Sequence, residues 1–522
     1  MTVQRSETPT FSRRSLLTPL LLFSCFSLLV GDLAFGFDTG NFGGILGNPG
    51  FIKEFGAYDP QEGTYAFSTF RTSLSTSLAL IGKFIGCLIA GPAIEKFGHR
   101  VVFFVLCAVA FIGIILEISS ASSSSTPGTG RLSQFIVGRI VVYTSVGLVE
   151  VCVPTYQAEI VPANIRGLVV VSLQLFLTVG TLIASGANLA YKTDETSNGW
   201  QTVTGIQFLF PFLLLICAFF IPSSPRWLLS RSRDEEAIKS LRRLRPQSYA
   251  DEGWCEVEVQ AIQEALHQET KKAPWSDLFR GNNMRRTIIV MGFYFFHDAT
   301  GQPLAATYAT TFFQDIGFGS KSYTFVLIGA FLSILSVIPA MVVVDKLGRR
   351  KTLLISYFFQ AAWMYILAGV GTAGTTTASK NTVVASLILY AVSYNMGSAS
   401  IPYLLGAEIP TAGLREKTQA LGAAWNVIWA FVVSFVTPYL IDSISFKIGI
   451  LYGSISVVAV LFTFFFLPET KGFALEEVDA IFENSFNPFH PSKPNFTAAE
   501  LRVGELEGAT NDGNEEKTAM HS

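Results

Sequence analysis

The sequence alternates long apolar stretches with short charged segments. Seven stretches contain no Asp, Glu, Lys, Arg or His, at residues 167–191, 196–225, 322–344, 352–379, 381–407, 418–441 and 448–468. Each is long enough to cross a bilayer as a helix, which takes about 20 residues. Five more apolar stretches carry one or two charges, near residues 18–45, 70–94, 100–120, 132–157 and 286–313. The pattern predicts an all-α polytopic membrane protein with twelve transmembrane helices, because a membrane barrel would show short alternating strands.

Three features repeat at a nearly constant offset along the chain. The matched features are Glu95–Arg100 with Asp345–Arg350, the spacing from Glu159 to Arg166 with that from Glu408 to Arg415, and Pro222 with Pro468. Duplication of a six-helix unit explains such repeats, and it places a substrate site near the midplane between the two units. We therefore expect two pseudo-symmetric six-helix halves.

A charged linker separates these halves. The predicted domains are a cytoplasmic N-terminus at 1–17, a first half at 18–222, a linker with surface helices at 223–285, a second half at 286–467, and a cytoplasmic helix with a disordered tail at 468–522. Twelve Lys and Arg residues lie between Arg226 and Arg286. Because cytoplasmic loops are enriched in Lys and Arg, we expect the linker and both termini to be cytoplasmic.

Composition supports a membrane protein and narrows the function classes. Only 15% of the 522 residues are charged, and the net charge is −2, whereas a soluble protein has about 25% charged residues. These values argue against a nucleic-acid binder and a secreted domain. The six cysteines are not placed to staple an outer loop, so no structural disulfide is expected. The sequence carries no evidence about oligomeric state.

Several motifs along the chain resemble those of one family. They are FGFDTGNFGG (35–44), GPAIEKFGHR (91–100), VGRIVVYTSVG (137–147), VPTYQAEIVPANIRG (153–167), SSPRWLL (223–229), DKLGRR (345–350) and PETKGFALEEVD (468–479). In this order they resemble the sugar porter family of the major facilitator superfamily, and most closely its fungal sugar:proton symporters. The resemblance implies the major facilitator fold in a multi-pass protein of the plasma membrane, without a cofactor.

The resemblance also implies a function. A secondary active transporter of this kind imports a sugar by alternating access, here with proton coupling as the main interpretation. A facilitative sugar carrier and a sugar sensor of the same fold remain alternatives. The polar tail after Glu483 is short, which gives little support to a sensor. No nucleophile, metal cluster or phosphate loop suggests an enzyme.

Charges inside the predicted spans mark candidate functional residues, because each costs a few kcal/mol in the bilayer. They concentrate in spans one, two, four and seven, at Asp32, Asp38, Lys83, Arg139, Glu150, His297 and Asp298. By the resemblance, Asp38 and Arg139 match the carboxylate and arginine used for proton coupling; a permanent ion pair is the alternative. Lys83 and Glu150 are outside the family pattern. They either pair across spans two and four, or one of them faces the cavity.

A sugar site needs amides, hydroxyls and an aromatic face. By the resemblance, Gln174 and Asn426 match family amides, and Tyr403 stands where the family has Trp. In span seven His297 and Asp298 replace a Gln-Gln pair, which leaves Gln302 as the nearest amide. Either both face the substrate, or His297 turns inward to a backbone carbonyl and only Asp298 does. The sugar is therefore left open among a hexose, a pentose, a disaccharide and a sugar acid.

Two gates are expected. Gly301 and Pro303 interrupt span seven, so that its outer part with Tyr308 forms an extracellular gate or is statically kinked. Charged residues at the cytoplasmic helix ends are expected to lock the halves as an intracellular gate. These are Arg100, Glu159, Arg166, Arg226, Arg349, Arg350, Glu408, Arg415 and Glu469.

Overall fold

The structure is a computed structural model that describes residues 18–59, 63–121, 128, 130–161, 166–268, 274–374, 376–471, 478 and 482. The predicted N-terminal segment 1–17 and nearly all of the predicted tail lie outside the described residues. Helices dominate the described part of the chain, and we number the membrane-crossing units as spans 1 to 12.

The first six spans follow the apolar stretches of the sequence. They are Pro19–Ile45 (span 1), Thr69–Ser77 with Ala79–Phe97 (span 2), His99–Ile118 (span 3), Leu132–Ile160 (span 4), Arg166–Ala190 (span 5) and Ser197–Ile206 with Leu209–Phe220 (span 6). A short helix, Pro49–Phe55, and an antiparallel hairpin of strands Ala57–Asp59 and Thr64–Ala66 follow span 1. Asn48 caps the short helix by accepting hydrogen bonds from the N–H groups of Gly50 and Phe51.

The second six spans repeat the arrangement. They are Gly281–Ala299, Gln302–Ala306 and Ala309–Phe313 (span 7), Ser322–Leu347 (span 8), Arg349–Ala373 (span 9), Thr377–Met396 with Ile401–Glu408 (span 10), Arg415–Ile444 (span 11) and Ile448–Phe466 (span 12). Short turns of irregular helix, Gln314–Phe318, Gly319–Lys321, Ala412–Leu414 and Ser445–Lys447, join them. All twelve predicted spans are therefore helical, and the first helix of span 7 begins at Gly281, five residues ahead of Arg286.

Length and hydropathy support membrane insertion of these helices. Among the described residues, ten helical segments are long and apolar enough to cross a membrane, and two of them, Ala309–Val344 and Arg415–Phe466, join parts of neighbouring spans. Large apolar side chains such as Leu88 and Phe219 are more than half exposed on the outside of the bundle. Exposed apolar surface along a helix bundle fits contact with lipid.

The linker contains four helices that pack on one another. They are Pro225–Ser230, Asp234–Leu244, Gln247–Asp251 and Trp254–Gln268, followed by the short 3-10 helix Trp275–Phe279. Arg245 ties this unit to the bundle, because it pairs with Glu258 at 2.6 Å and donates to the carbonyl of Ile160 at the end of span 4. Thr18, at the start of span 1, donates to the carbonyl of Leu244. We call this side of the membrane the linker side and the other the opposite side.

One apolar cluster joins the two halves on the opposite side. It contains Phe42, Phe135 and Trp200 from the first half, and Tyr308 and Tyr452 from the second, all nearly fully buried. Aromatic rings in contact contribute about 0.5–1.5 kcal/mol per pair beyond their burial. The structure is accordingly closed on the opposite side.

Cys255 lies in the linker, and we expect it to resist alkylation. It is fully buried, and burial first, then Glu258 and Glu256, raise its pKa from 9.0 to about 11. A raised thiol pKa favours the protonated form, so near neutral pH the reactive thiolate is about 100-fold scarcer than for a free cysteine. Iodoacetamide labelling at pH 7.5 with peptide mapping measures this. Ser248→Cys, at an exposed linker position, should label quickly; equal rates at both sites would contradict the expectation.

Candidate functional site

Span 7 is broken where the candidate residues lie. Its first helix ends at Ala299, and Gly301 adopts a left-handed conformation with φ 108° before the helix restarts at Gln302. Only glycine takes this conformation readily, and a Cβ at Gly301 would also lie 2.9 Å from the Tyr452 ring. The break ends the hydrogen-bonded ladder after Ala299, so His297 and Asp298 occupy the last turn of a helix near the middle of the bundle.

A polar cluster surrounds this last turn. The Asn426 amide of span 11 donates to Asp298 Oδ2 at 2.5 Å and to the Tyr294 carbonyl at 3.2 Å, and it lies 3.4 Å from His297 Nδ1. His297 Nε2 lies 2.9 Å from the hydroxyl of Tyr394 on span 10. We call His297, Asp298, Tyr394 and Asn426 the span 7 cluster. It combines a carboxylate, an imidazole, an amide and a hydroxyl, which together can both donate to and accept from hydroxyl groups.

His297 and Asp298 differ in how deeply they are buried and in what they contact. Asp298 is the more buried of the two, with 7% of its side chain exposed against 14% for His297. His297 contacts the hydroxyl of Tyr394 and not a backbone carbonyl. Asp298 is instead held by Asn426. Which of the two side chains faces the substrate stays a prediction, and in this structure the imidazole is the more accessible of the two.

Aromatic and amide side chains extend the site. The Tyr403 ring meets the rings of Tyr294 and His297 edge-on, with centroids 5.3 and 5.5 Å apart. Gln174 of span 5, in the first half, donates to Asn395 Oδ1 of span 10, in the second half, at 3.2 Å. The structure thus brings Tyr403 and Asn426 together with His297 and Asp298, and it links Gln174 to the residue next to Tyr394.

Gln302 and two unpredicted residues complete this region. Gln302 is half-buried at the start of the helix that follows the break. Sequence reasoning missed Tyr394 and Asn395, which lie in the charge-free stretch 381–407. Both residues are neutral, so the sequence does not separate them from residues that only pack helices together.

Asp38 and Arg139 form a buried pair between spans 1 and 4. Asp38 Oδ2 lies 3.6 Å from Arg139 Nη2, and 2% of each side chain is exposed. Gln207 donates to Asp38 Oδ1 at 3.1 Å. The Arg139 guanidinium lies 3.6 Å from the centre of the Phe42 ring, a favourable cation–π position. Two buried charges need close partners, and here the carboxylate has an arginine and an amide.

Tyr308 lies near this pair, in the apolar cluster that closes the opposite side. It is 1% exposed, and its hydroxyl donates to the Ser434 carbonyl at 2.7 Å. Arg139 interacts electrostatically with it. On the same side Gln314 donates to the Gly47 carbonyl and Tyr323 to the Gly44 carbonyl, each joining the two halves. Phe42 therefore links the ion pair physically to the closed end of the bundle.

Lys83 and Glu150 pair across spans 2 and 4. Lys83 Nζ lies 3.0 Å from Glu150 Oε2, with side-chain exposures of 8% and 26%. The pair also faces the other half, because Lys83 interacts electrostatically with Asp298, and Glu150 with Tyr403. The two alternatives are therefore not exclusive: the residues pair, and the pair faces the span 7 cluster.

Removing one member of this pair should destabilise the protein. Lys83→Met leaves Glu150 unpaired in a mostly buried site, and we expect a cost of roughly 3 kcal/mol, the low end for a broken buried pair. The double variant Lys83→Met with Glu150→Gln removes both charges and should recover most of the loss. Thermal unfolding of the purified protein in detergent measures both. A double variant no more stable than Lys83→Met would contradict this account.

The predicted intracellular gate residues of the second half bind within that half. Arg349 Nη2 lies 3.0 Å from Glu408 Oε1, and the Arg349 N–H donates to Glu469 Oε1 at 2.9 Å. Arg350 donates to the Phe464 carbonyl at 2.7 Å. Arg415 is half-buried, and its Nε donates no hydrogen bond within the described residues.

The first half follows the same rule. Glu159 accepts from the hydroxyl of Ser224 and lies 3.6 Å from His99 Nδ1, while Arg100 donates to the carbonyls of Ala218 and Phe219. Arg226 has an interaction partner, and the side chain of Arg166 lies outside the described residues. The pairs named here for Glu159, Arg100, Arg349 and Arg350 therefore do not join the two halves. The hydrogen bonds described above that do join the halves come from Gln174, Gln314 and Tyr323.

Comparison with known proteins assigns these features to one family. A family model described as "Sugar (and other) transporter" matches residues 24–482. The chain is 28% identical to the high-affinity glucose transporter ght2 of Schizosaccharomyces pombe, covering 92% of this chain and 90% of that protein. It is 30% identical to hexose transporter 2 of Kluyveromyces lactis, covering 94% and 87%. It is also 30% identical to the high-affinity fructose transporter ght6 of Schizosaccharomyces pombe, covering 87% and 86%.

Solved structures share the fold. An inward-open structure of the xylose transporter XylE from E. coli superposes with a TM-score of 0.73 at 24% identity, covering 88% of this chain and 99% of that one. The proton:xylose symporter XylE bound to 6-bromo-6-deoxy-D-glucose gives 0.72 at 24% identity, covering 89% and 99%. These matches confirm the predicted twelve-helix major facilitator fold.

Proposed function

The chain belongs to the sugar transporter family of the major facilitator superfamily, and on that premise we propose that it imports a monosaccharide together with a proton. It is a multi-pass membrane protein and a sugar transporter, not an enzyme. Membership of the family leaves open the sugar, the coupling ion and the orientation in the membrane.

The span 7 cluster supports a monosaccharide as substrate. His297, Asn426, Tyr394 and Tyr403 supply hydrogen-bonding groups beside aromatic faces, as a ring of hydroxyls requires. Relatives that match nearly the whole chain are named for glucose, hexose and fructose. Asp298 already accepts a hydrogen bond from the Asn426 amide. We therefore propose that the sugar contacts His297 and Asn426 directly, and that Asp298 acts on the sugar by holding the Asn426 amide.

The Asp38–Arg139 pair is the observation that carries proton coupling. A carboxylate in a dry site takes up a proton when its cationic partner withdraws, because desolvation disfavours the charge. Arg139 packs on Phe42, which belongs to the cluster closing the opposite side. Opening that side would shift Phe42 and with it the guanidinium, so that protonation of Asp38 is tied to the direction in which the carrier faces. XylE, which shares the fold, is named a proton:xylose symporter.

Charge distribution supports the orientation. The linker and the adjoining helix ends hold most of the Lys and Arg residues, so we propose that the linker side is cytoplasmic and that both termini lie there. The closed opposite side would then be extracellular, Tyr308 its gate, and the paired residues of each half the separated parts of the intracellular gate. The same logic supports the plasma membrane and the domain boundaries given above, with the second half moved to Gly281.

Uptake of labelled sugars by a transporter-null cell tests the substrate. The chain should restore uptake of at least one of glucose, fructose and xylose, and uptake should be faster at pH 5.5 than at pH 7.5. Surface labelling of the protein in the same cells provides the control. Absence of uptake for every sugar, with the protein at the surface, would contradict the proposal. Uptake that is independent of pH would favour the facilitative carrier.

A further inference from the structure

A third ionisable side chain lies beside the Asp38–Arg139 pair. Glu117, in the last turns of span 3, is 1% exposed, and its Oε1 accepts no hydrogen bond within the described residues. A buried carboxylate without a partner is costly when charged. It therefore either carries a proton or uses a charge that lies close by.

Packing directs Glu117 towards the coupling pair. A Cβ added at Gly138 would lie 2.8 Å from Glu117 Cγ. Spans 3 and 4 are therefore in contact at the residue before Arg139. Glu117 interacts electrostatically with both Arg139 and Asp38. Glycine at 138 permits this approach, because any larger side chain would collide with the glutamate.

The ionisable groups around Glu117, counted with it, include two carboxylates but one guanidinium. Span 1 contributes Asp38, span 4 contributes Arg139 and the Tyr143 hydroxyl, and span 6 contributes the neutral Gln207. Two carboxylates thus lie near one guanidinium, and all three side chains are almost fully buried. Both cannot be charged at modest cost, since two like charges in a dry site share one proton.

We propose that Glu117 is a second proton-accepting residue of the coupling site and that it shares one proton with Asp38. This rests on the proposed function. With the proton on Glu117, the charged carboxylate of Asp38 balances Arg139, and these two side chains are adjacent in this structure. With the proton on Asp38, the carboxylate of Glu117 is the anion that balances Arg139. The proton moves from one carboxylate to the other and the guanidinium exchanges partners, so the net charge of the three side chains stays the same.

Unpaired atoms around the pair fit this exchange. Asp38 Oδ2, Arg139 Nε and Glu117 Oε1 are each buried and form no hydrogen bond with any residue that the structure describes. A fixed ion pair of maximal strength would use these atoms in a bidentate contact of about 2.7–2.9 Å, whereas Asp38 and Arg139 are 3.6 Å apart. The spare donor and acceptors leave the guanidinium able to turn from one carboxylate to the other.

The pH profile of coupled transport tests the proposal. Glu117→Gln removes the second carboxylate, so one negative charge fewer lies beside Arg139 and a higher proton concentration is needed to load the site. The alkaline limit of sugar-driven proton uptake in liposomes should therefore move down by about one pH unit, tenfold in proton concentration. Glu195→Gln removes an exposed carboxylate from the loop between spans 5 and 6 and should keep the wild-type limit. Glu117→Asp, which restores a carboxylate, should bring the limit back towards wild type.

The experiment separates failure of the role of Glu117 from failure of proton coupling itself. An alkaline limit in Glu117→Gln equal to that of wild type would overturn the inference, because a permanently protonated glutamic acid is replaced by glutamine without effect. Should Glu117→Gln fail to fold, Glu117→Met, of similar volume and apolar, is read in the same way. Wild-type protein that moves sugar without protons would instead overturn the proposed coupling itself.

Discussion

Asp38→Asn should abolish accumulation of sugar against a gradient. Asparagine keeps the size of the side chain and the contact with Gln207, but it cannot bind and release a proton. Accumulation needs sugar binding and proton binding to be coupled. Without a coupled ion a neutral sugar can only equilibrate, so the ratio of internal to external sugar should fall to about 1. Labelled-sugar uptake to steady state in cells at pH 5.5 measures the ratio.

The matched control is Asp251→Asn, which neutralises an exposed linker aspartate and should accumulate sugar like wild type. A permanent Asp38–Arg139 ion pair makes a different prediction. Asp38→Asn would then leave Arg139 unpaired and reduce the amount of folded protein, while the protein that remains would still accumulate sugar. Accumulation by Asp38→Asn at a ratio well above 1 would contradict the coupling role.

Asn426→Ala should weaken sugar binding more than any other single change in the span 7 cluster. The amide holds Asp298 and the Tyr294 carbonyl, and it lies beside His297. Hydrogen bonds to a charged group contribute about 1.5–3 kcal/mol, so we expect the half-saturating sugar concentration to rise about 10- to 100-fold. Initial uptake rates over a range of sugar concentrations, normalised to protein at the surface, give this value.

Asn198→Ala is the control, since Asn198 is exposed on span 6 away from the cluster. It should leave the half-saturating concentration unchanged. A purely structural role for Asn426 would lower the amount of protein and leave that concentration near wild type, and this outcome would remove the residue from the substrate site.

The fold was largely predictable because charge is so costly in lipid. Stretches without a charged residue, such as 322–344, correspond to spans, and the family resemblance placed Asp38 opposite Arg139. The break in span 7 was readable as well, since Gly301 and Pro303 have a known effect on helices.

The site was less predictable, for physical reasons. Tyr394 and Asn395 are neutral residues in an apolar stretch, so they carry no signal that separates a substrate contact from helix packing. Adjacent residues on a helix point about 100° apart, and the sequence does not tell which of His297 and Asp298 turns inward. In the structure Asn426 on span 11 donates a hydrogen bond to Asp298, which is the more buried of the two side chains.

The intracellular gate shows a third limit. Charged pairs at helix ends form between halves or within them according to the direction in which the carrier faces, and one sequence serves both states. Arg349 with Glu408 and Glu159 with Ser224 belong to the state that is closed on the opposite side.

Proton movement on addition of sugar tests the central claim most directly. The purified protein is placed in liposomes that contain a pH-sensitive dye, and sugar is added outside without a pH gradient. The account predicts that the lumen acidifies as sugar enters and that Asp38→Asn abolishes the acidification. Sugar entry into wild-type liposomes at constant internal pH would contradict it.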